Sequence, residues 1–288
     1  MSKFWSDYIQ TTDELNLSRE LRFTDENHRL WLDAIGAENF DCILEVGCGG
    51  GVFCARLKRY LPDIDITGID LDEAHISRAG ELYNGINFVV GDATRLPFSD
   101  ESFDLCFSHT VAEHIPHDAF FGEQYRVLKK GGRISVLSAR PKLGIREESL
   151  IPDEAWEIIK PAFENDNVDD SLVGAFEMAE SDYPRELEKY GFSDVRVGAF
   201  TVMYYSPDSA KVTRDDAIKQ INYRRMSELA FVSKVARRSG GALDEDKLKI
   251  VEAMINSAYD ERLAKYDRGE HLWDIASSTV LWTSGIKM

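Results

Sequence analysis

Basic residues are scarce relative to acidic ones: 34 Lys and Arg stand against 51 Asp and Glu, for a formal net charge of −17. Such an acidic chain repels a phosphate backbone at long range, which disfavours nucleic acid as a partner. One short basic stretch, RVLKKGGR, keeps that alternative open. No apolar run approaches the roughly 20 residues that span a bilayer, so we expect no membrane association.

Signals for export, metal binding and disulfides are also missing. The opening residues, MSKFWSDYIQ, have no basic region followed by an apolar stretch, so we expect a cytoplasmic location. The four cysteines do not form pairs with metal-ligand spacing; they are Cys42, Cys48, Cys54 and Cys106. We expect them to be small buried hydrophobic residues, and we expect no metal site.

An ordinary composition and an alternating pattern predict a single α/β domain over the 288 residues. The hydrophobic fraction of 43% is typical of a globular protein. In the predicted core, residues 41–140, five short apolar runs alternate with helical patterns: CILEV, IDITGID, INFVVGD, FDLCFSH and RISVLS. Apolar strands separated by helices pair in parallel, with both faces of the sheet covered. The helix in HDAFFGEQYRVLKKGG is expected to end at its glycines.

Further segments surround this core. Residues 1–40 are predicted to form an N-terminal helical lid, and residues 141–204 to complete the core with an insertion, a helix and a strand. Residues 205–270 show helical periodicity with a break at RRSGGALDED, which favours a helical cap insertion. Residues 271–288 are predicted to hold the final strand. The predicted fold is a doubly wound, mostly parallel seven-stranded sheet with helical cap insertions.

The glycine-rich stretch ILEVGCGGGVFC, residues 43–54, is expected to bind a ligand. Glycine loses the most backbone entropy on folding, so four glycines in five positions need a physical reason. At a strand-to-helix turn in a doubly wound sheet, missing side chains let a ligand lie against the backbone, and the helix N-terminus offers free N–H donors. A glycine loop with only a structural role is the alternative.

Three acidic residues favour a nucleoside-containing ligand. Asp70 ends the second strand about 20 residues after the glycines, where an acid binds ribose hydroxyls. Asp92, in the GDA that ends the third strand, is placed to accept a hydrogen bond from an adenine amino group. Glu45 lies inside the first strand, where its burial requires a partner such as a loop amide or a ligand's ammonium group.

The spacing of the glycines argues against a dinucleotide. The dinucleotide fingerprint G-x-G-x-x-G, started at Gly47, needs a third glycine at position 52, which is Val52. Started at Gly49, it needs a glycine at position 54, which is Cys54. The pattern present is E-x-G-x-G-x-G, formed by Glu45, Gly47, Gly49 and Gly51.

These features resemble the class I S-adenosylmethionine-dependent methyltransferases. ILEVGCGGG is similar to the family's first motif, ITGIDLDE to its second-strand acid, and VVGDATRLPFSDESFDLCFS to its third and fourth strands. VAEHIPHDAFFGEQYRVLKKGGRISV, LEKYGFSDVRV and VLWTSGIK are similar to its later elements. The resemblance implies a Rossmann-like methyltransferase fold, S-adenosyl-L-methionine as cofactor and a methyltransferase activity.

The resemblance also assigns roles at the start of the core. The glycines Gly47, Gly49 and Gly51 would lie near the methionine and ribose parts of the cofactor, with Glu45 near its ammonium group. Asp70 would hold the ribose hydroxyls.

At the next strand ends, the resemblance places Leu71 over one face of the adenine. Asp92 and Ala93 would recognise the adenine edge. Ser108 and His109, which end the fourth strand, would lie near the methionine end and the path of the methyl group.

Methyl transfer requires little dedicated catalytic machinery, because the sulfonium leaving group is already activated. Holding the nucleophile near the methyl carbon supplies much of the rate, and a base helps only where the nucleophile arrives protonated. His109 and His114 are the candidate bases. For each, the alternative is a histidine satisfied by local backbone bonds; Glu113 is expected to be structural or solvated.

The acceptor is narrowed by motifs that the sequence does not have. SHTV follows the fourth strand, where family members that methylate nucleobase amino groups carry Asn/Asp-Pro-Pro-Tyr. The sequence has no Pro-Cys nucleophile for methylation of cytosine carbon. A small-molecule substrate is therefore favoured, with a protein side chain second. The acceptor's identity and the oligomeric state stay open.

Trp5, Tyr8 and Arg22 in the predicted lid are further candidates for cofactor contact, with simple packing as the alternative. The helical cap insertion is expected to cover the acceptor side. Two other functions are considered: an NAD(P)-dependent Rossmann oxidoreductase, and a catalytically silent S-adenosylmethionine-binding protein.

Overall fold

The computed structural model describes residues 5–8, 10–145, 148–164 and 174–288. The strands of these residues form one seven-stranded sheet: β1 (Cys42–Val46), β2 (Asp65–Asp70), β3 (Asn87–Val90), β4 (Phe103–His109), β5 (Leu128–Ala139), β6 (Phe192–Tyr205) and β7 (Ala276–Lys287). Their order is β3-β2-β1-β4-β5-β7-β6. The pairs from β3 to β5 are parallel, whereas β7 is antiparallel to β5. The predicted doubly wound, mostly parallel seven-stranded sheet is confirmed.

Helices connect and flank the strands. The α-helices of the described ranges are α1 (Trp5–Tyr8), α2 (Thr12–Arg22), α3 (His28–Ile35), α4 (Val52–Tyr60), α5 (Glu73–Leu82), α6 (His117–Val127), α7 (Asp153–Glu164), α8 (Asp182–Lys189), α9 (Arg214–Arg238) and α10 (Glu245–Asp267). A capping box at Thr11 begins α2, where the Thr11 and Glu14 side chains each bind the other's backbone N–H. None of these helices is long and apolar enough to cross a bilayer.

The chain divides into two compact units. The first, which we call the sheet unit, comprises residues 1–143, 170–202 and 278–288. Its apolar core covers both faces of the strands, because successive residues of a strand point to opposite faces. Ile43 packs in one layer with Leu105 and Phe107, and Leu44 packs in the other with Cys106.

The second unit, the helical unit, comprises residues 144–169 and 203–277. Its helices α7, α9 and α10 share an apolar core of residues at helical spacing, among them Ile159, Val232 and Ile255. The Asp244 side chain caps α10 by accepting a hydrogen bond from the Lys247 amide.

One boundary was predicted wrongly. The sequence predicts that the helix before β5 ends at its glycines, but α6 ends at Val127. Leu128 already pairs with Phe103 of β4, and its side chain is fully buried. Gly131, at φ 77°, belongs to a register shift inside β5. Leu128 therefore joins the sheet ahead of the glycines. Burial of its apolar side chain stabilises the strand more than the glycines favour a later end of the helix.

Candidate active site

The glycine-rich loop lies at the carboxyl edge of the parallel strands. It joins the end of β1 at Val46 to the start of α4 at Val52. Gly47, Gly49 and Gly51 have φ values of 71°, 52° and 80°, in the left-handed region that favours glycine. The amides of Gly47 and Cys48 donate to the Ile69 carbonyl at 2.8 and 3.0 Å, which fastens the loop to β2.

Asp70, at the end of β2, contacts this loop directly. Its Oδ2 atom accepts a hydrogen bond from the Gly49 amide at 2.8 Å, and its Oδ1 accepts one from the Asp72 amide at 2.9 Å. Burial raises the pKa of the Asp70 carboxyl above its ordinary value. Leu71 follows with 57% of its surface exposed, an open apolar face beside the carboxylate.

The third strand brings Asp92 and Ala93 to the same edge. The Gly91 amide donates to the Asp70 carbonyl at 2.9 Å, so the ends of β2 and β3 lie side by side. Asp92 is exposed, and its Oδ1 accepts a hydrogen bond from the Thr94 amide at 2.8 Å, while Ala93 is buried. The three predicted strand-end features therefore come together in the order of the strands.

Glu45 is buried under the loop and has a hydrogen-bonding partner. Its Oε2 accepts bonds from the Cys54 amide at 3.1 Å and the Cys54 thiol at 2.9 Å. Burial raises the pKa of Glu45 to about 8, against the effect of these bonds and of the Arg19 charge. Gly68 of β2 pairs with Glu45, and a Cβ at this position would lie about 3 Å from the sulfurs of Cys48 and Cys54, so the close approach requires glycine.

Ser108 and His109 end β4 in the interior. Ser108 is fully buried, and its hydroxyl has no hydrogen-bond partner among the described residues. The His109 ring packs edge-on against Phe23 at 5.1 Å and beside Phe53 at 5.4 Å, with 4% of the residue exposed. Burial, reinforced by the charges of two arginines on α2, holds the pKa of His109 well below its usual range. It is therefore neutral at physiological pH.

His114 has a different environment, in the short turn before α6. Its Nδ1 accepts a hydrogen bond from the Gly174 amide at 2.9 Å, and the Trp5 ring lies 4.9 Å from its ring. Burial lowers its pKa. Glu113 beside it is buried and accepts hydrogen bonds from Ser138 and Tyr183. These contacts favour structural roles for His114 and Glu113.

A small cavity of about 20 Å³ lies under the loop. It is lined by Leu15, Asn16, Arg19, Glu45, Gly47, Cys48, Gly49, Gly50, Val52, Phe53 and His109. Four predicted site residues thus share one cavity, which has room for about one water molecule. The other predicted residues lie outside its lining. Among the described residues, no group of His, Cys, Asp or Glu is arranged to bind a metal ion.

Outside the glycine-rich stretch 43–54, the cavity-lining residues that the sequence did not identify lie on α2. Leu15, Asn16 and Arg19 face the loop, where the interpretation selected Trp5, Tyr8 and Arg22 instead. Asn16 is 6% exposed, and both atoms of its amide have no hydrogen-bond partner within the described ranges. Leu15 and Arg19 lie four residues apart on one helix face. That spacing is the signal in the sequence that points to these two residues.

The three lid candidates stay predictions. Trp5 contacts His114 rather than the cavity. The Arg22 guanidinium donates to the Ser18 carbonyl at 3.0 Å on its own helix. The side chain of Tyr8 lies outside the described part of the chain.

A glycine loop at the carboxyl edge, followed by acids on the next two strands, defines a Rossmann-like protein with a site for a nucleoside ligand. A profile of the methyltransferase-domain family matches residues 44–136, which span β1 to β5. The resemblance to the class I S-adenosylmethionine-dependent methyltransferases is thus confirmed over residues 44–136.

Two curated relatives match part of the chain. A phthiotriol/phenolphthiotriol dimycocerosates methyltransferase of Mycobacterium ulcerans is 40% identical over 108 residues, which is 36% of this chain and 40% of the relative. A fatty-acid O-methyltransferase of Mycolicibacterium smegmatis is 38% identical over 108 residues, covering 36% and 39% of the two chains. The chain thus matches about two-fifths of the length of these relatives.

The likeness to solved structures extends further along the chain. A putative methyltransferase from an antibiotic biosynthesis pathway of Anabaena variabilis superposes with a TM-score of 0.54 and 17% identity. The match covers 92% of this chain and 99% of the other. At this identity, the comparison establishes the fold.

Proposed function

We propose that the protein is an S-adenosylmethionine-dependent methyltransferase that acts on a small-molecule acceptor. The observation that carries the proposal is the set of features at three neighbouring strand ends: the glycine loop after β1, Asp70 after β2 and Asp92 after β3. The loop presents backbone to a ligand, and the two carboxylates match the hydroxyls and amino group of an adenosine. The family match over residues 44–136 supports the same donor.

The residues present fit such a cofactor. The Asn16 amide, buried without partners, offers both a donor and an acceptor beside the loop. Glu45 lines the same cavity, and a cationic group beside it would favour its ionised form. Bound S-adenosylmethionine would supply an electrophilic methyl group on a sulfonium that leaves as a neutral thioether. The chain's own contribution is to hold the reactants and exclude water.

The helix α2 must move for this function. The cavity of about 20 Å³ is far smaller than the several hundred Å³ of a typical cofactor site. Leu15 and Asn16 close it from the α2 side. We infer that the segment containing α2 is a lid, which opens to admit the cofactor and closes over it. The roles of Trp5, Tyr8 and Arg22 in that lid stay predictions.

An oxygen atom on a lipid-like molecule is the favoured acceptor. One relative is named for methylation of fatty acids at oxygen, and another for methylation of dimycocerosates. A hydroxyl group loses its proton during methylation, which calls for a base, and neutral His109 at the cavity suits that role. A carboxyl group arrives ionised and needs no base. A protein side chain is the second acceptor class. The predicted cytoplasmic location also stays a prediction.

Thermal unfolding with added ligands tests the cofactor. S-adenosylmethionine and S-adenosylhomocysteine should raise the melting temperature, and NAD should not. A ligand at a hundredfold excess over its Kd stabilises by about 2.7 kcal/mol. A shift with NAD alone would favour the oxidoreductase instead.

Transfer is tested separately from binding. Methyl-labelled cofactor is incubated with fatty acids, hydroxylated lipids and a protein extract, and the labelled product is identified. Label in a lipid oxygen supports the proposal, and label in protein favours the second acceptor class. Binding without label in any pool favours the catalytically silent protein.

A further inference from the structure

Thr110 stands at the centre of a hydrogen-bonded array beside the cavity. Its hydroxyl accepts a hydrogen bond from the Arg19 guanidinium at 3.1 Å. The same oxygen lies 2.7 Å from the His109 carbonyl, to which it donates, and 3.2 Å from His109 Nδ1. Three groups on α2 and at the end of β4 therefore meet at one oxygen atom.

Counting protons at this oxygen fixes the tautomer of His109. A threonine hydroxyl has one proton to donate and two lone pairs to accept with. The hydroxyl donates its proton to the His109 carbonyl, and one of its lone pairs accepts the hydrogen bond from Arg19. The remaining lone pair faces Nδ1, and this arrangement is satisfied when Nδ1 carries the imidazole proton. Nε2 is then the unprotonated nitrogen of the neutral ring.

The backbone conformation of Thr110 is strained, so holding its hydroxyl at this position costs free energy. Its φ is 54°, which is a genuine outlier for a β-branched residue. Strain of this kind persists where the surroundings impose it, and it clusters at functional sites. Here the Thr110 amide donates to the Leu137 carbonyl at 2.8 Å, which anchors the residue to β5.

The second ring nitrogen of His109, Nε2, differs from Nδ1 in its surroundings. Nε2 is buried and has no hydrogen-bond partner among the described residues, although His109 lines the cavity. Phe23 and Phe53 fix the plane of the ring. Within the described ranges, the ring makes its polar contact with Thr110 alone.

We propose that Thr110 is a positioning residue, which holds His109 in the Nδ1–H tautomer so that Nε2 accepts the proton of the methyl acceptor. The acceptor oxygen forms a bond to the methyl carbon while the carbon–sulfur bond breaks and its electron pair stays on sulfur. The proton of the acceptor passes to Nε2. This role rests on the proposed methyltransferase function, but the tautomer is a property of the protein alone.

Nitrogen NMR of the histidine rings tests the tautomer without an acceptor. In protein labelled with ¹⁵N at its six histidines, the His109 signals are assigned as those lost in His109→Gln. We expect the protonated type of signal at Nδ1 and the unprotonated type at Nε2. A wild-type His109 protonated at Nε2 would overturn the proposal.

Two variants separate positioning from packing. Thr110→Val keeps the shape but removes the hydroxyl, and the ratio of Nδ1–H to Nε2–H forms should fall at least about fivefold. Thr110→Ser retains the hydroxyl and should restore the ratio. Thr283→Val, at a buried threonine whose hydroxyl has no partner in the described ranges, is the matched control. An unchanged ratio in Thr110→Val refutes the role of Thr110.

Failure of this inference is distinguishable from failure of the proposed function. Calorimetry with S-adenosylhomocysteine reports cofactor binding in wild type and in Thr110→Val. If the cofactor binds but His109 is protonated at Nε2, only the positioning role of Thr110 is refuted. If the tautomer is right but the cofactor does not bind, the methyltransferase proposal falls.

Discussion

The Asp70 carboxylate braces the glycine-rich loop, because its Oδ2 accepts a hydrogen bond from the Gly49 amide at 2.8 Å. Its other oxygen accepts from the Asp72 amide at 2.9 Å. One side chain therefore shapes the loop and presents negative charge at the proposed ribose position. Loss of that side chain should affect binding more strongly than a simple surface change.

We expect Asp70→Ala to weaken binding of S-adenosylhomocysteine at least tenfold, measured by calorimetry. Hydrogen bonds to charged groups contribute about 1.5–3 kcal/mol each, so the loss of one suffices. Asp65→Ala, at the exposed opposite end of β2, is the control and should bind as the wild type does. Equal affinities of the two variants would place the ribose at another residue.

Local patterns predicted the strands well and the lid contacts poorly. β1 and β4 coincide with the runs CILEV and FDLCFSH, since strands buried on both faces are marked by apolar residues along their whole length. No comparable pattern in the local sequence distinguishes Asn16 from its neighbours. Its importance comes from lying against a loop more than 30 residues away in sequence, near Gly50. Only the tertiary fold reveals that contact.

Glu45 should make stability depend on pH. Its pKa is about 8 in the folded protein against 4.5 for an ordinary glutamate. Between these values the folded state keeps a proton that the unfolded state loses, so the free energy of unfolding falls as pH rises. This stabilisation is complete below the pKa of Glu45 in the unfolded state. It is lost as the pH rises through the pKa in the folded state, at up to about 1.4 kcal/mol per pH unit.

Urea unfolding between pH 5.5 and 8, compared with Glu45→Gln, measures this contribution. The glutamine keeps an oxygen for the Cys54 amide but does not titrate. The stability of the wild type relative to the variant should decline steadily over this range. Parallel curves for the two proteins would mean that Glu45 is ionised throughout.

Gly50 should tolerate no side chain while α2 is closed. A Cβ at Gly50 would lie 2.1 Å from Asn16 Oδ1. We expect Gly50→Ala to destabilise the protein by about 1–3 kcal/mol, as overpacking does, and to speed amide exchange in α2. Adding Asn16→Ala should reverse both effects. Gly122→Ala is the control, because nothing lies within 4 Å of its Cβ position. Equal stability of Gly50→Ala and Gly122→Ala would contradict the contact.

Arg262 should be essential to the helical unit. Its buried guanidinium donates to Asp208 at 2.9 Å and to Asp274 at 2.7 Å. Arg262→Met leaves both carboxylates without their cation, which typically costs about 3–5 kcal/mol. Urea unfolding should show this loss, whereas Arg268→Met, which breaks exposed ion pairs with Glu261 and Glu270, should leave the midpoint nearly unchanged. Similar midpoints for the two variants would show that the buried network is not stabilising.

Hydrogen exchange should identify α2 as the moving part of the cofactor site. The cavity under the loop holds about one water molecule, so entry of a cofactor requires Leu15 and Asn16 to withdraw. Segments that open for ligands come from the less stable part of a structure. Saturating S-adenosylhomocysteine should therefore slow exchange of the amides of residues 10–25.

The amides of β1 and β4 provide the internal control for this measurement. These strands pair with neighbours on both sides and are buried, so their protection is high without ligand and should change little. Asn16→Ala should bind the cofactor more weakly and show less slowing in α2, because the buried amide that would bond the ligand is gone. If the amides of residues 10–25 exchange at the same rate with and without saturating ligand, α2 does not act as a lid. The cofactor would then have to enter along the exposed side of Asp92 and Leu71, with the contact between Asn16 and Gly50 left intact.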